Sequence, residues 1–355
     1  MNNKLTAISL FTGAGGMDIG FEAAGFNVVF ANEIMKEAAE TYRANHPGCN
    51  MLNDDINNIF DELSNYEGVD LVFGGPPCQG FSVAGKMNPD DERSKLIFTF
   101  LDVVEKVRPR FFVMENVKAL GILEKWEPVR KKYMDRAFSL GYNCASFILN
   151  ATEYGVSQKR ERVFFIGFKD NNDPFFEHHM NDCIERQKNS APTIRELLAS
   201  LGKAGTKNNP NTCTAKITFA TRPIMRKSPY AGMYFNGQGR PMCVDGYSNT
   251  LPASMGGNKT PFVDEEYLYG DASEDWVVAY HKGLTDGTIT PEFTEAPSRL
   301  RRITIREAAR IQTFPDDYIF CGNKGRIYTQ IGNAVPCRLA EAVAKAVVAY
   351  INEQY

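Results

Sequence analysis

Cys78 sits where a sequence most invites chemistry. It lies in Gly74-Gly75-Pro76-Pro77-Cys78-Gln79-Gly80-Phe81-Ser82, directly after a strand-like segment at 69–73. Two prolines before it and a glycine after it fix the backbone and leave the thiol at a strand tip. Most cysteines end as small buried hydrophobes, but this loop is too polar for a core segment. A thiolate is a nucleophile, and a free thiol of pKa about 8.5 needs nearby positive charge to ionise at neutral pH. Gln158-Lys159-Arg160-Glu161-Arg162 offers that charge, since strand alternation puts Arg160 and Arg162 on one face; the plain alternative is an edge strand charged against aggregation. Glu115 ends the run Phe111-Phe112-Val113-Met114, where a carboxyl can trade a proton or merely cap a helix. Lastly, Phe11-Thr12-Gly13-Ala14-Gly15-Gly16 turns from a strand into a helix, and such a turn lets backbone approach a ligand closely. It is neither a phosphate loop nor a strict G-x-G-x-x-G. Glu33, 17 residues past Gly16, stands where an acid holds ribose hydroxyls, and Asp55-Ile56 could flank an adenine. Together these point to an adenosine-containing cofactor.

The elements that must position these groups alternate. Strand-like runs at 7–11, 27–31, 69–73, 111–114, 142–149 and 163–168 are separated by helical stretches, one of which puts Leu96, Ile97, Phe100, Leu101, Val104 and Val107 on one face. Alternation of this kind predicts an α/β fold with a parallel sheet covered on both sides. The pattern fades over 171–298, which is rich in Asn, Gly, Pro, Thr and Ser, and helices return at 304–313 and from Pro336 onward. The expected organisation is a first α/β part at 1–170, an irregular insertion at 171–298 and a return segment at 299–355.

Composition narrows the class. The chain has 355 residues, 43% hydrophobic and 23% charged, which suits a folded globular protein rather than a disordered or fibrous one. No apolar run approaches the roughly 18 residues needed to span a bilayer, and the N-terminus lacks a signal-peptide stretch; the expectation is a cytoplasmic protein. Eight scattered cysteines without a C-x-x-C pair, and four histidines, predict neither a disulfide framework nor a metal site. The net charge of −3 conceals an uneven distribution: residues 195–250 carry eight basic side chains against two acidic ones, and Arg299, Arg301, Arg302, Arg306 and Arg310 face only Glu307. Solvated basic faces would explain either stretch alone.

Taken in order, six segments resemble the cytosine-C5 DNA methyltransferase family across nearly the whole chain. They are Ser9-Leu10-Phe11-Thr12-Gly13-Ala14-Gly15-Gly16, Pro76-Pro77-Cys78-Gln79, Glu115-Asn116-Val117, Gln158-Lys159-Arg160-Glu161-Arg162, the stretch from Arg302 to Arg310, and Gln330-Ile331-Gly332-Asn333-Ala334-Val335-Pro336. Ser9 departs from the Asp of many members. The resemblance implies a Rossmann-like S-adenosylmethionine-dependent methyltransferase domain with a smaller, irregular target-recognition domain. It implies that Cys78 adds to C6 of a flipped-out cytosine, that Glu115 bonds N3 and the amine, that Arg162 supplies positive charge beside the thiol and faces cytosine O2, and that Arg160 braces the phosphate or Glu115. Phe11, Ala14, Gly16, Glu33, Ile34, Asp55, Ile56, Gly75, Pro77, Leu96, Asn333 and Ala334 would line the cofactor site. Gln79, Ser82, Arg222, Arg226, Lys227, Arg240, Thr250 and Leu251 would meet double-stranded DNA, and the basic excess of the middle region then has a reason. A cognate restriction endonuclease is an implied partner, with monomer the expected state. The competing expectations are a transfer-RNA cytosine-C5 methyltransferase, a catalytically dead binding module and a nicotinamide-dependent dehydrogenase; the intact Cys78, Glu115, Arg160 and Arg162 set argues against the second, and the third lacks a His or Lys in a hydride-transfer setting.

Overall fold

The protein is described by a computed structural model covering residues 4–77, 92–169 and 173–353, so Cys78, Gln79 and Ser82 lie outside the described residues. The chain divides into two compact units. The first comprises Met1–Gly155, Arg160–Ser190 and Val335–Tyr355; the second comprises Val156–Lys159 and Ala191–Ala334.

The first unit is built on strands β1 (Thr6–Leu10), β2 (Asn27–Asn32), β3 (Asn50–Leu52), β4 (Leu71–Gly74), β5 (Phe111–Val117) and β6 (Tyr142–Asn150), while β7 (Gln158–Lys159) belongs to the second unit and β8 (Glu161–Lys169) returns to the first. The sheet order is β3-β2-β1-β4-β5-β8-β6. Strands β1 to β5 run parallel, but β8 is antiparallel to both β5 and β6. The sheet is therefore mixed rather than wholly parallel. The connection between β6 and β8 is shorter than the roughly dozen residues that a parallel crossover needs.

Every residue of β4 and all but the last of β5 are buried, as expected where helices cover both faces. Ile8, Phe30, Val72, Phe100, Val104, Phe112 and Trp126 fill one core cluster. Elsewhere the first helix (Gly16–Ala23) meets the C-terminal helix (Cys337–Glu353) so closely that a Cβ on Gly20 would overlap the backbone of Cys337 and Glu341. This contact brings the end of the chain home to the unit where it began. The helix Phe176–Glu185 joins them, burying Phe176, Met180, Cys183 and Ile184, with Phe176 edge-on to Tyr350 at 5.3 Å.

The boundaries thus fall away from the shift in composition. Residues 171–298 read as poor in helix, yet helices occupy Phe176–Glu185, Ile194–Ala199, Glu265–Tyr269 and Trp276–Asp286. Phe176–Glu185 packs into the first unit because of its four buried side chains, and 299–334 packs into the second.

In the second unit, β9 (Phe219–Ile224) pairs antiparallel with β10 (Met233–Phe235), β11 (Ser248–Asn249) runs parallel to β7, and β12 (Phe262–Asp264) pairs antiparallel with β13 (Leu300–Arg302). An aromatic cluster replaces a regular layer: Phe219 stacks at 4.7 Å on Tyr280 and 5.5 Å on Trp276, with Tyr234, Phe235 and Phe262 packed around them. Thr304 and Thr193 each close a capping box, with Glu307 and Glu196.

Candidate active site

The antiparallel direction of β8 decides what can meet. In a parallel sheet the start of β8 would lie at the opposite edge from the end of β5. Reversed, Arg162 pairs in register with Val117, and Phe164 with Glu115. Arg162 Nε then sits 2.8 Å from Glu115 Oε1, both side chains being largely buried. Arg160, 2% exposed, adds its charge to the same carboxyl. Burial raises the pKa of Glu115 above the usual carboxylate value, and the two arginines oppose that rise without cancelling it. The result is a carboxyl whose protonated form is more favoured than that of an ordinary exposed glutamate.

The neighbouring strand end is locked to it. A Cβ on Gly75 would come within 3.1 Å of Glu115 Oε2, a tight contact that would press on that oxygen. Asn116 Nδ2 donates to the carbonyl of buried Pro76 at 3.2 Å. One step earlier, a Cβ on Gly74 would overlap the Leu10 carbonyl, which sets β4 tight against β1. Glu115, Gly75 and Pro76 therefore occupy one corner of the sheet, and the chain runs from there toward Cys78. The Asn116 bond lay beyond sequence reasoning; an Asn at a strand end beside a proline-rich loop was its only signal.

The glycine turn is built as its residue types demand. Phe11, Gly13 and Gly15 take positive φ of 54°, 55° and 79°, costly for Phe11 and cheap for glycine. Gly15 N donates to Thr12 O at 3.0 Å, and Thr12 N to Asn32 O at 3.1 Å. Glu33 accepts from Gly13 N on Oε2 at 2.8 Å and from Met35 N on Oε1 at 2.7 Å. Its carboxylate thus holds the turn. Burial raises its pKa while these amides oppose the rise. Asn32 and Asn53 tie the ends of β2 and β3 together by bonds to the carbonyls of Leu52, Asp54, Glu33 and Ile34. Ile34 is 64% exposed beside Glu33.

Other expected cofactor residues are placed less simply. Asp55 caps a short turn by accepting from Asn57 N. Ile56 and Ala14 are 3% and 1% exposed, and Ile56 is part of the core, so neither offers its side chain to a ligand. Gly16 opens the first helix, Pro77 and Leu96 are half-buried, and Asn333 and Ala334 end a helix in the second unit.

The basic side chains of the second unit separate into two groups. Arg195, Lys203 and Lys216 pair with Asp245, Asp271 and Glu295. Arg299 and Arg301 pair with Asp264, Glu265 and Glu307, Arg310 pairs with Asp316, and Arg302 donates to Thr260 O. The arginines at 299–310 are thus largely engaged in internal bonds. Arg222, Arg226 and Lys227 are exposed and Arg240 half-exposed, and none has a carboxylate within ion-pair distance among the described residues. Thr250 Oγ1 donates to Lys159 O at 2.7 Å. Leu251 is 1% exposed, and its backbone N–H donates to Gln158 Oε1 at 2.9 Å.

Comparison with known proteins agrees with the order of the motifs. A family model described as C-5 cytosine-specific DNA methylase matches residues 5–349. The chain is 33% identical to the Type II methyltransferase M1.HphI of Haemophilus parahaemolyticus, covering 97% of this chain and 87% of that one. It is 34% identical to the Type II methyltransferase M.MthTI of Methanothermobacter thermautotrophicus, covering 96% of each. Among solved structures, S. pombe Dnmt2 methyltransferase superposes with a TM-score of 0.67 at 16% identity, over 99% of this chain and 100% of that one. At that identity the likeness speaks for the fold, that of a Rossmann-like methyltransferase. The match along almost the full length makes the chain a member of the C-5 cytosine-specific DNA methylase family, a DNA methyltransferase enzyme.

Proposed function

We propose that the protein methylates C5 of a cytosine flipped out of a specific double-stranded DNA sequence, through a transient bond between Cys78 and C6. The observation that carries this reading is the buried Glu115–Arg162 pair beside the backbone that leads into Cys78. Cytosine C5 is a weak nucleophile until something adds at C6. The Cys78 thiolate adds there, and electron density moves onto the ring. Glu115, with its raised pKa, shares its proton with N3 as that charge builds. Arg162 faces O2 and holds the carboxyl in place, while Arg160 supports both. After C5 has gained the methyl group it loses its proton to a base, the C5–C6 double bond re-forms and the thiolate leaves. C6 is inaccessible within a duplex, so the base must leave the stack, at a cost of a few kcal/mol.

S-adenosylmethionine fits the chain as methyl donor and supplies a sulfonium-bound, electrophilic methyl group. The positive-φ turn at Phe11 to Gly15 brings bare backbone to the ligand edge of the sheet, Glu33 and Asp55 offer carboxylate oxygens to ribose or adenine, and exposed Ile34 offers an apolar face to the adenine ring. The second unit is the target-recognition part on this reading, with Arg222, Arg226, Lys227 and Arg240 free to meet phosphates or base edges. Type II naming of the relatives favours a restriction–modification role with a cognate endonuclease.

The test is DNA carrying 5-fluorocytosine, incubated with the enzyme and S-adenosylmethionine. Fluorine cannot leave C5 as a proton does, so a denaturant-stable protein–DNA adduct should accumulate, and Cys78→Ser should abolish it. An active enzyme on a substrate it demonstrably methylates, yielding no adduct, would refute the covalent mechanism. Bulk tRNA in place of DNA should accept no methyl groups.

A further inference from the structure

Within the second unit, two fully buried glutamines form a continuous chain of side-chain amides. Gln312 Nε2 donates to the carbonyls of Ile331 at 2.6 Å and Ala334 at 3.0 Å. Its Oε1 accepts from Gln158 Nε2 at 2.8 Å. Gln158 Oε1 in turn accepts from Leu251 N at 2.9 Å. Both glutamines are completely excluded from solvent. The orientation of each amide follows from the ends of the chain. Two carbonyls at one end demand the nitrogen of Gln312, which turns its oxygen to Gln158. That demands the nitrogen of Gln158, which turns its oxygen to the Leu251 N–H. No link can flip without leaving buried polar atoms unpaired.

Three segments meet through this chain. One is the Thr250-Leu251 loop, further pinned by Thr250 Oγ1 on Lys159 O and by the pairing of Ser248 with Gln158. Another is the helix end at Ile331 to Ala334. The third is β7 itself, whose backbone leaves the second unit at Lys159 and continues in the next residue as Arg160. We propose that Gln158 and Gln312 are positioning residues, whose amide chain fixes β7, the strand whose backbone runs on through the next peptide bond into Arg160 and then Arg162, and ties the setting of β7 to the Thr250-Leu251 loop. The proposal rests on the reading of Arg162 as a residue that holds Glu115 and the base. Two side chains removed from any substrate would then govern the rate of methyl transfer, because a displacement of about 1 Å at a reacting group costs roughly 100-fold.

Substituting a glutamate at each position separates positioning from mere packing. When protonated, the carboxyl introduced by Gln158→Glu reproduces both bonds of the amide: its hydroxyl donates to Gln312 Oε1 and its carbonyl accepts from Leu251 N. Ionised, it sets one oxygen against another. The carboxyl introduced by Gln312→Glu has at most one proton for two carbonyls, and the oxygen it turns to Gln158 is not enough to compensate. Single-turnover methyl transfer to unmethylated plasmid DNA should therefore fall roughly 10- to 100-fold in Gln158→Glu at about pH 8.5 and recover toward wild type, relative to wild type at the same pH, at about pH 6. Gln312→Glu should stay slow at both. The KM for S-adenosylmethionine should move little in Gln158→Glu, and Gln158→Met combined with Gln312→Met should be no slower than either alone. Rates are taken per folded molecule, with Arg162→Met run alongside. A wild-type rate in Gln158→Glu at the higher pH, a rate loss that does not respond to pH, or multiplicative losses in the double variant would each overturn the proposal. A wild-type rate in Arg162→Met would instead overturn the catalytic reading on which it rests.

Discussion

Replacing Arg162 by Met strands Glu115 at the end of β5 without the partner 2.8 Å away. In the intact protein burial already raises the pKa of this carboxyl, and Arg162, then Arg160, oppose the rise. With Arg162 gone, burial is opposed by Arg160 alone, and the folded pKa climbs further. A carboxyl with a raised folded pKa contributes stability that is fully present below its unfolded pKa and is lost as pH rises through the folded pKa, at about 1.4 kcal/mol per pH unit. Wild type and variant lose stability together just above the ordinary carboxylate range. Wild type then levels off at its lower folded pKa, while the variant keeps losing. Removing one member of a buried pair costs about 3–5 kcal/mol when the other stays charged. Proton uptake by Glu115 and the remaining charge of Arg160 should hold the loss to about 2 kcal/mol at about pH 8, and to no more than about 1 kcal/mol at about pH 5. Urea unfolding at the two pH values, with the m-value as a check that the transition is unchanged, measures the difference. Equal destabilisation at both, or a larger loss in acid, would refute the account of Glu115 as a carboxyl whose pKa burial raises and Arg162 lowers.

Asp18 offers the same physics with the opposite outcome. Burial raises its pKa to about 6, and Tyr42 OH donates to it at 3.0 Å; its stability contribution is lost as pH rises from the ordinary Asp range through about 6, so Asp18→Asn, which keeps the Tyr42 bond, should stabilise the fold by up to about 2–3 kcal/mol at neutral pH and by little in acid, as read from thermal melts. Gly74→Ala should force β4 away from the Leu10 carbonyl and cost roughly 1–3 kcal/mol or more, a lowered Tm at every pH being the readout. Substituting Ala singly for Arg222, Arg226, Lys227 and Arg240 should reduce the salt dependence of DNA binding by about one unit of slope for each phosphate left unneutralised, and relax sequence choice wherever a base edge is no longer read. Four variants that bind like wild type at two salt concentrations would move the DNA-binding surface away from these side chains.

Some strand ends were legible because polar tips interrupt apolar runs: Gly74-Gly75 ends β4 and the glycine turn follows β1, whereas β5 runs on through Glu115 and Asn116 to Val117. The direction of β8 was not legible. Val163-Phe164-Phe165-Ile166 is apolar on both faces, and such a run reads the same whichever way the strand points. That one unreadable sign decides whether Arg162 can reach Glu115. The helix Phe176–Glu185 escaped notice because its polar residues outnumber its four buried side chains, and tertiary packing rather than periodicity holds it. The free and the paired arginines could not be told apart either, since Arg301 and Arg222 differ only in what folds against them. Leu251 resembles a DNA-facing residue on family likeness, whereas only the fold reveals its burial.

The four residues Val156–Lys159 pack with a unit whose remaining residues begin at Ala191. On the reading of the second unit as the target-recognition part, this bears on how such enzymes could change specificity by recombination. A single exchanged block covering 191–334 would bring a foreign Ser248–Asn249 strand to a resident Gln158–Lys159 strand, and the pairing between them would have to tolerate a partner it was not selected with. An exchange that carries the small upstream piece as well keeps the pair together, but it needs two further crossover points. Lineages that shuffle their specificity should therefore show residues 156–159 inherited in step with the loop near 250, although about 90 positions of chain separate them.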